Sequence, residues 1–205
     1  VIDRRDTPRG EIALRHRDGE YEVIFNGVFI MSSRNGASEA ALARAAIERA
    51  AAERARYAVA RPGDPGLQVL IGGLGMGYTL RAALDCEGVA RVDVAEIEPV
   101  VLEWNDRYFG RLNGDALADP RCRVALVDVL DLAREAARQS ATYHAILLDT
   151  DNGPDWLLLD ANRRLYGAEG FDVFGSALAE GGVLAVWSAG PSDELEAVMR
   201  GVFGN

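Results

Sequence analysis

From residue 67 onward, the chain falls into short, mostly apolar blocks separated by stretches of helical spacing. The blocks are 67–71 (LQVLI), 91–97 (RVDVAEI), 122–127 (CRVALV), 145–148 (AILL) and 183–187 (VLAVW). Blocks this short and this rich in Val, Ile and Leu predict strands buried on both faces. Between them, helices are predicted over 78–84, 99–109, 130–138 and 164–178, with a last one from Ser192. Pro99 suits a first helical turn, Gly167 and Gly170 interrupt the fourth helix, and Gly181-Gly182 ends it. Strands alternating with helices predict an α/β fold with a doubly wound, mostly parallel sheet.

The pattern before residue 35 is different. Blocks at 11–14, 21–25 and 28–31 flank Asp18-Gly19 and Asn26-Gly27, the residue pairs favoured in two-residue hairpin turns. They predict a small three-stranded antiparallel piece. A long alanine-rich helix should then run to about Tyr57, with Ser38 as N-cap and Glu39 in its first turn. Arg44/Glu48 and Arg49/Glu53 are spaced as i,i+4 pairs on its polar face. Residues 61–66 (RPGDPG) read as a linker into the first buried strand. The expected division is a β region over 1–35 and a Rossmann-like domain over 36–205.

Composition narrows the function. Hydrophobic residues make up 49% of the 205, enough for a sizeable core. No apolar run reaches the roughly 20 residues of a membrane helix. No signal peptide is visible, and a cytoplasmic setting is expected. Cys86 and Cys122 have no metal-like spacing, so no metal is expected. A net charge of −10 argues against a nucleic-acid partner, which calls for a basic surface, and suits a cationic small-molecule substrate as well as plain solubility.

The chemistry centres on residues 67–98, which read as strand, glycine turn, helix, strand and acidic tip. Gly72, Gly73, Gly75 and Gly77 follow the first strand directly. Glycines there allow a left-handed backbone and let a ligand approach the main chain. The dinucleotide pattern G-x-G-x-x-G fails, because Tyr78 stands where Gly73 would require a glycine. The spacing present, Gly73-x-Gly75-x-Gly77, looks like the first motif of class I S-adenosylmethionine-dependent enzymes. Glu96 or Glu98, at the tip of the second strand, is placed to accept hydrogen bonds from ribose hydroxyls.

Further acids follow the later strands: Asp128 after the third, then Asp149 and Asp151 after the fourth. Ligands of open α/β sheets bind beyond those strand ends. A single acid there is commonly a helix cap or turn residue, but four in register with a glycine turn point to a ligand. Asp128 and the neighbouring Val129 suit an adenine ring, and Asp149 should project toward the reacting end of the ligand.

The order of glycine turn, V-A-E-I-E, V-D-V, I-L-L-D-T-D-N-G-P, L-Y and G-G-V-L-A-V-W resembles the spermidine synthase family of polyamine aminopropyltransferases. That resemblance implies transfer of an aminopropyl group from decarboxylated S-adenosylmethionine to an amine such as putrescine. It implies Glu96 on the ribose, Asp128 on the adenine and Asp149 as catalytic acid/base. Asp151 would hold the cationic acceptor, with Asn152 beside it, and Glu39 matches a family glutamate before the core. The family turn reads G-G-G-D-G-G, whereas this chain has Gly72-Gly73-Leu74-Gly75-Met76-Gly77. Gly75 thus replaces the aspartate that would meet the aminopropyl amine. The family loop D-S-S/T-D-P appears here as Asp149-Thr150-Asp151-Asn152-Gly153-Pro154. A methyltransferase using S-adenosylmethionine itself and a non-catalytic relative remain alternative readings, and a homodimer stays open.

Overall fold

The computed structural model describes residues 1–57, 65–140, 142–154 and 156–204. Residues 61–64 of the expected linker lie outside the described residues. The chain builds two sheets. The first is antiparallel, with β1 (Asp3–Thr7), β2 (Gly10–Arg17), β3 (Glu20–Phe25) and β4 (Val28–Ser32) in that spatial order. The predicted turns hold: Asp18 and Gly19 both have positive φ, as do Asn26 and Gly27, the condition for a tight hairpin. The sheet has four strands where three were expected. β1 is the sequence DRRDT, with no apolar position to betray it. It is an edge strand, polar as such strands usually are, and it is pinned where Trp104 Nε1 donates to Asp3 at 3.0 Å.

Helix α1 (Ala37–Tyr57) follows. Its capping oxygen comes from Asn35, which accepts from Ala37 N at 3.0 Å. Ser38, the expected cap, lies inside the helix and donates instead to Glu39. The Arg49–Glu53 pair forms at 2.6 Å.

The second sheet is parallel, built from β5 (Leu67–Gly72), β6 (Val89–Glu96), β7 (Cys122–Leu126), β8 (Tyr143–Leu148) and β9 (Leu178–Val186) in the order β7-β6-β5-β8-β9. The order reverses between β5 and β8, which makes their carboxyl ends the topological switch point. α2 (Tyr78–Asp85), α3 (Pro99–Trp104) and α4 (Gly110–Asn113) follow β5 and β6; α5 (Val129–Arg138), α6 (Ala168–Ala177) and α7 (Asp193–Phe203) follow the later strands. One core joins the first sheet, α1, α2 and α3 to one face, with Trp104 and Phe109 fully buried. The other packs α5, α6 and α7 on the opposite face around Phe171 and Phe174.

Two elements depart from expectation. The helix begun at Pro99 passes through a π turn at Asn105–Phe109 before α4. The fifth strand begins at Leu178 rather than 183 and carries Gly181 at φ 72° inside it, with a register shift against β8. The glycine pair that reads as a break is a kink within the strand. Among the described residues no helix is long and apolar enough to cross a membrane.

Candidate active site

Pairing brings the strand ends level. Gly72 is opposite Ala95 on one side and Leu148 on the other, and Glu96 is opposite Leu126. Gly73, Gly75, Glu96, Asp128, Val129 and Asp149 therefore line one cavity of about 100 Å³. Gly72 ends β5 and Gly77 precedes α2, outside that lining. The opposite wall is apolar and comes from the antiparallel sheet: Ile12, Val23, Phe25, Ile30 and Met31.

The glycine turn is close-packed. Gly73 has φ 91°, and a Cβ there would collide with the Asp149 carbonyl oxygen. Only glycine satisfies both constraints. Gly75 has φ 51° and faces Met31, whose Sδ would lie 3.5 Å from a Cβ. Two buried asparagines support the turn from behind. Asn105 Nδ2 donates to Gly75 O at 2.8 Å and to Val101 O at 2.9 Å. Asn113 Nδ2 donates to Met76 O at 3.0 Å and to Asn105 Oδ1 at 2.9 Å. The π turn contains Asn105, in keeping with the habit of such bulges to sit at functional sites.

Each acid has a distinct environment. Glu96 is 7% exposed and ties down its surroundings, accepting from Leu74 N at 3.0 Å and from Ile97 N and Glu98 N at 2.7 Å each. Burial raises its pKa against the pull of those three amides. Asp128 caps α5 by accepting from Leu130 N at 2.9 Å, and its other oxygen pairs with Arg164 at 2.6 Å. Asp149 is half-buried, and burial pushes its pKa up to about 6. Thr79 Oγ1, donating to Asp149 Oδ2 at 2.5 Å, opposes that shift, and the negative charge of Glu39 adds to it.

Asp151 is 9% exposed and turned inward. It accepts from Leu158 N at 2.7 Å, from Asn162 Nδ2 at 3.0 Å and from the Tyr166 hydroxyl at 2.9 Å. Those donors fix the loop after β8 rather than leaving the carboxylate open. Asn152, whose carbonyl accepts from Ala189 N at 3.2 Å, ties the same loop to the end of β9.

A second cavity of about 310 Å³ adjoins the first. Glu39, Tyr78, Asp149, Asp151, Asn152 and Trp187 line it. Ile30, Met31, Gly75, Asp149 and Thr150 belong to both linings. The structure therefore divides the expected site residues into a first group around the glycine turn and a second around Glu39 and Asp151, with Asp149 between them. Trp156 stands outside both, 58% exposed. Among the described residues no cluster of three His, Cys, Asp or Glu is placed to hold a metal.

Residues 64–199 match the model of the spermine/spermidine synthase domain. The chain belongs to that family. Within it, the chain is 30% identical over 137 residues to the polyamine aminopropyltransferase of Mycobacterium tuberculosis, covering 67% of this chain and 25% of that protein. Polyamine aminopropyltransferase 2 of Streptomyces coelicolor is 38% identical over 134 residues, 64% of this chain and 23% of the relative. The Pyrobaculum aerophilum enzyme is 30% identical over 149 residues, 71% and 48%. The chain thus spans 23–48% of these relatives' length. The fold is that of the spermidine synthase of Thermotoga maritima, with a TM-score of 0.67 at 19% identity over 91% of this chain and 56% of that one. A spermidine synthase solved with the transition-state analogue AdoDATO gives 0.66 at 18% identity, over 91% and 55%.

Several residues of this synthase-family site escape a reading of the sequence. Thr79, Asn105, Asn113 and Met31 carry no motif of their own. Asn105 and Asn113 stand among charged residues and carry no signal in the sequence, and only their burial, with that of Thr79, at 2% exposure or less marks them. A buried polar side chain has a partner that justifies it.

Proposed function

We infer that this chain transfers an aminopropyl group from decarboxylated S-adenosylmethionine to a cationic amine acceptor such as putrescine. The observation that carries this is the position of Asp149, a carboxylate with a raised pKa on the common wall of two adjoining cavities. The cavity that holds the glycine turn, Glu96, Asp128 and Val129 suits the adenosyl donor. The cavity bounded by Glu39 and Asp149 suits an ammonium group, and the faces of Tyr78 and Trp187 add cation–π attraction.

The chemistry follows from protonation. An alkylamine near pH 7 carries a proton, with a reference pKa of about 10.4, and only the neutral amine has a lone pair to attack with. Burial that raises the pKa of Asp149 lowers that of an ammonium beside it, which narrows the gap for transfer. Asp149 accepts the proton, the nitrogen bonds to the carbon next to the sulfonium, and the carbon–sulfur electron pair stays on sulfur as a neutral thioether. Much of the remaining acceleration comes from holding donor and acceptor in line. Asp151 acts through the loop it fixes, as a positioning residue. The reaction needs no metal.

The test is incubation of the protein with putrescine and either donor, with mass analysis of the product. A gain of three carbons and an amine from the decarboxylated donor is the expected result. Gly75 favours a second reading, methyl transfer from S-adenosylmethionine, because no acid at that position selects an amine tail. A product heavier by one methyl group decides for it.

A further inference from the structure

Glu98 is a buried acid with one unsatisfied oxygen. It is 6% exposed and lines the first cavity. Its Oε2 atom is buried with no hydrogen-bond partner. It stands at the N-cap position of α3 in an extended conformation, as a residue before proline must, yet its side chain does not cap the helix. Its Oε1 is held from the antiparallel sheet, by Thr7 Oγ1 at 3.2 Å and Arg9 at 3.3 Å. Leaving a buried carboxyl oxygen without a partner costs stability. Such a group calls for a donor that the folded chain does not itself supply.

The strand order indicates which donor. Across the sheet, Asp128 follows β7, Glu96 and Glu98 follow β6, the glycine turn follows β5 and Asp149 follows β8. An adenosyl donor laid along that line with its reacting end at Asp149 and its base at Asp128 puts its sugar over the end of β6. A ribose offers two neighbouring hydroxyl donors there. Glu96 answers them poorly alone, because its two oxygens already accept three backbone amides.

We propose that Glu98 accepts a hydrogen bond from a ribose hydroxyl of the donor, and that Thr7 and Arg9 position it. This rests on the reading of the first cavity as an adenosyl-donor site. It makes the turn between β1 and β2 a part of nucleoside recognition, although neither Thr7 nor Arg9 lines the cavity.

The test is calorimetric titration of wild type and Glu98→Gln with 5′-methylthioadenosine and with its 2′-deoxy and 3′-deoxy forms. Glu98→Gln keeps the shape while removing the charge, and thermal unfolding verifies the fold. A hydrogen bond to a charged group predicts about a tenfold or greater loss for the parent nucleoside. The same variant should bind the one deoxy form that lacks the contacted hydroxyl within about twofold of wild type, since there the bond is already gone. Arg9→Ala, at an exposed position, should show the same selectivity with a smaller loss. Equal losses for all three nucleosides, or no loss for any, overturn the role of Glu98 while leaving the donor site standing. Failure of wild type to bind any of the three overturns the donor reading and the role of Glu98 with it.

Discussion

The Thr79 hydroxyl donates to Asp149 Oδ2 at 2.5 Å, across the gap between the first turn of α2 and the end of β8. This bond steadies the carboxylate proposed to take the acceptor's proton, and it favours the ionised form that burial opposes. A residue seventy positions away that carries no charge thus moderates the effect of burial on Asp149.

Asp149→Asn should abolish transfer while binding of 5′-methylthioadenosine stays within about threefold, since an amide keeps the shape but accepts no proton. The same change should stabilise the fold. The pKa of Asp149 is raised from 3.8 to about 6, so its cost is absent below pH 4 and fully present above 6. The variant should therefore melt above wild type at pH 8, and the difference should vanish by about pH 4. Thermal unfolding across that range measures it; a lower melting point at pH 8 contradicts the account.

Transfer by wild type should fall as pH drops through about 6, where Asp149 takes up a proton. Thr79→Val removes the bond that favours the carboxylate. It should move that acid limb upward by about one pH unit, given roughly 1.4 kcal/mol per unit and the strength of a bond to a charged group. A pH–rate profile of kcat checks this, and an unmoved limb would separate Thr79 from the chemistry.

Asn105→Ala removes the side-chain donor to the carbonyls of Gly75 and Val101; Val101 keeps the main-chain N–H of residue 105, and Gly75 loses its buried partner. The expected loss is about 2 kcal/mol. For a chain of this size that is roughly 4–8 °C in Tm. Donor affinity should fall with it, because Asn105 holds the turn on which the donor is proposed to rest. Calorimetry and thermal unfolding of the one variant measure both.

Gly75→Asp tests the donor. Aspartate tolerates the left-handed backbone at φ 51° better than most side chains do, and Met31 Sδ at 3.5 Å leaves ordinary room for a Cβ. The variant should bind decarboxylated S-adenosylmethionine about tenfold more tightly relative to S-adenosylmethionine, through a new carboxylate–ammonium contact and repulsion of the carboxylate. An unchanged ratio would remove position 75 from donor selection.

The parallel sheet was legible because its inner strands β5, β6 and β8 are largely buried and read as mostly apolar blocks. The outer strands β7 and β9 keep the same pattern although they are only partly buried. The glycine turn and the acids at its rim were legible for the same reason: chemistry follows directly where each block stops. β1 was not, since a polar edge strand is specified by partners such as Leu14 and Trp104 rather than by its own pattern. The strand 178–186 hid behind Gly181-Gly182, where the left-handed backbone of Gly181 resembles a terminus until the pairing with β8 is known. Asp128 and Asp151 were recognisable as acids in the right place, but their partners, Arg164 and the group of Asn162, Tyr166 and Leu158, come from a segment folded back over the sheet. Sequence distance conceals such contacts, and the orphan oxygen of Glu98 is visible only once everything around it has been placed.

Gly73 lies directly against the Asp149 main chain, and Asp149 N donates to Gly72 O at 2.9 Å. The proposed nucleoside seat and the proposed proton acceptor are therefore adjoining rungs of a single ladder. Their separation is set by main-chain pairing within the sheet rather than by the loops above it. Evolution can retailor those loops for guests of other lengths without recalibrating the distance over which the reaction occurs.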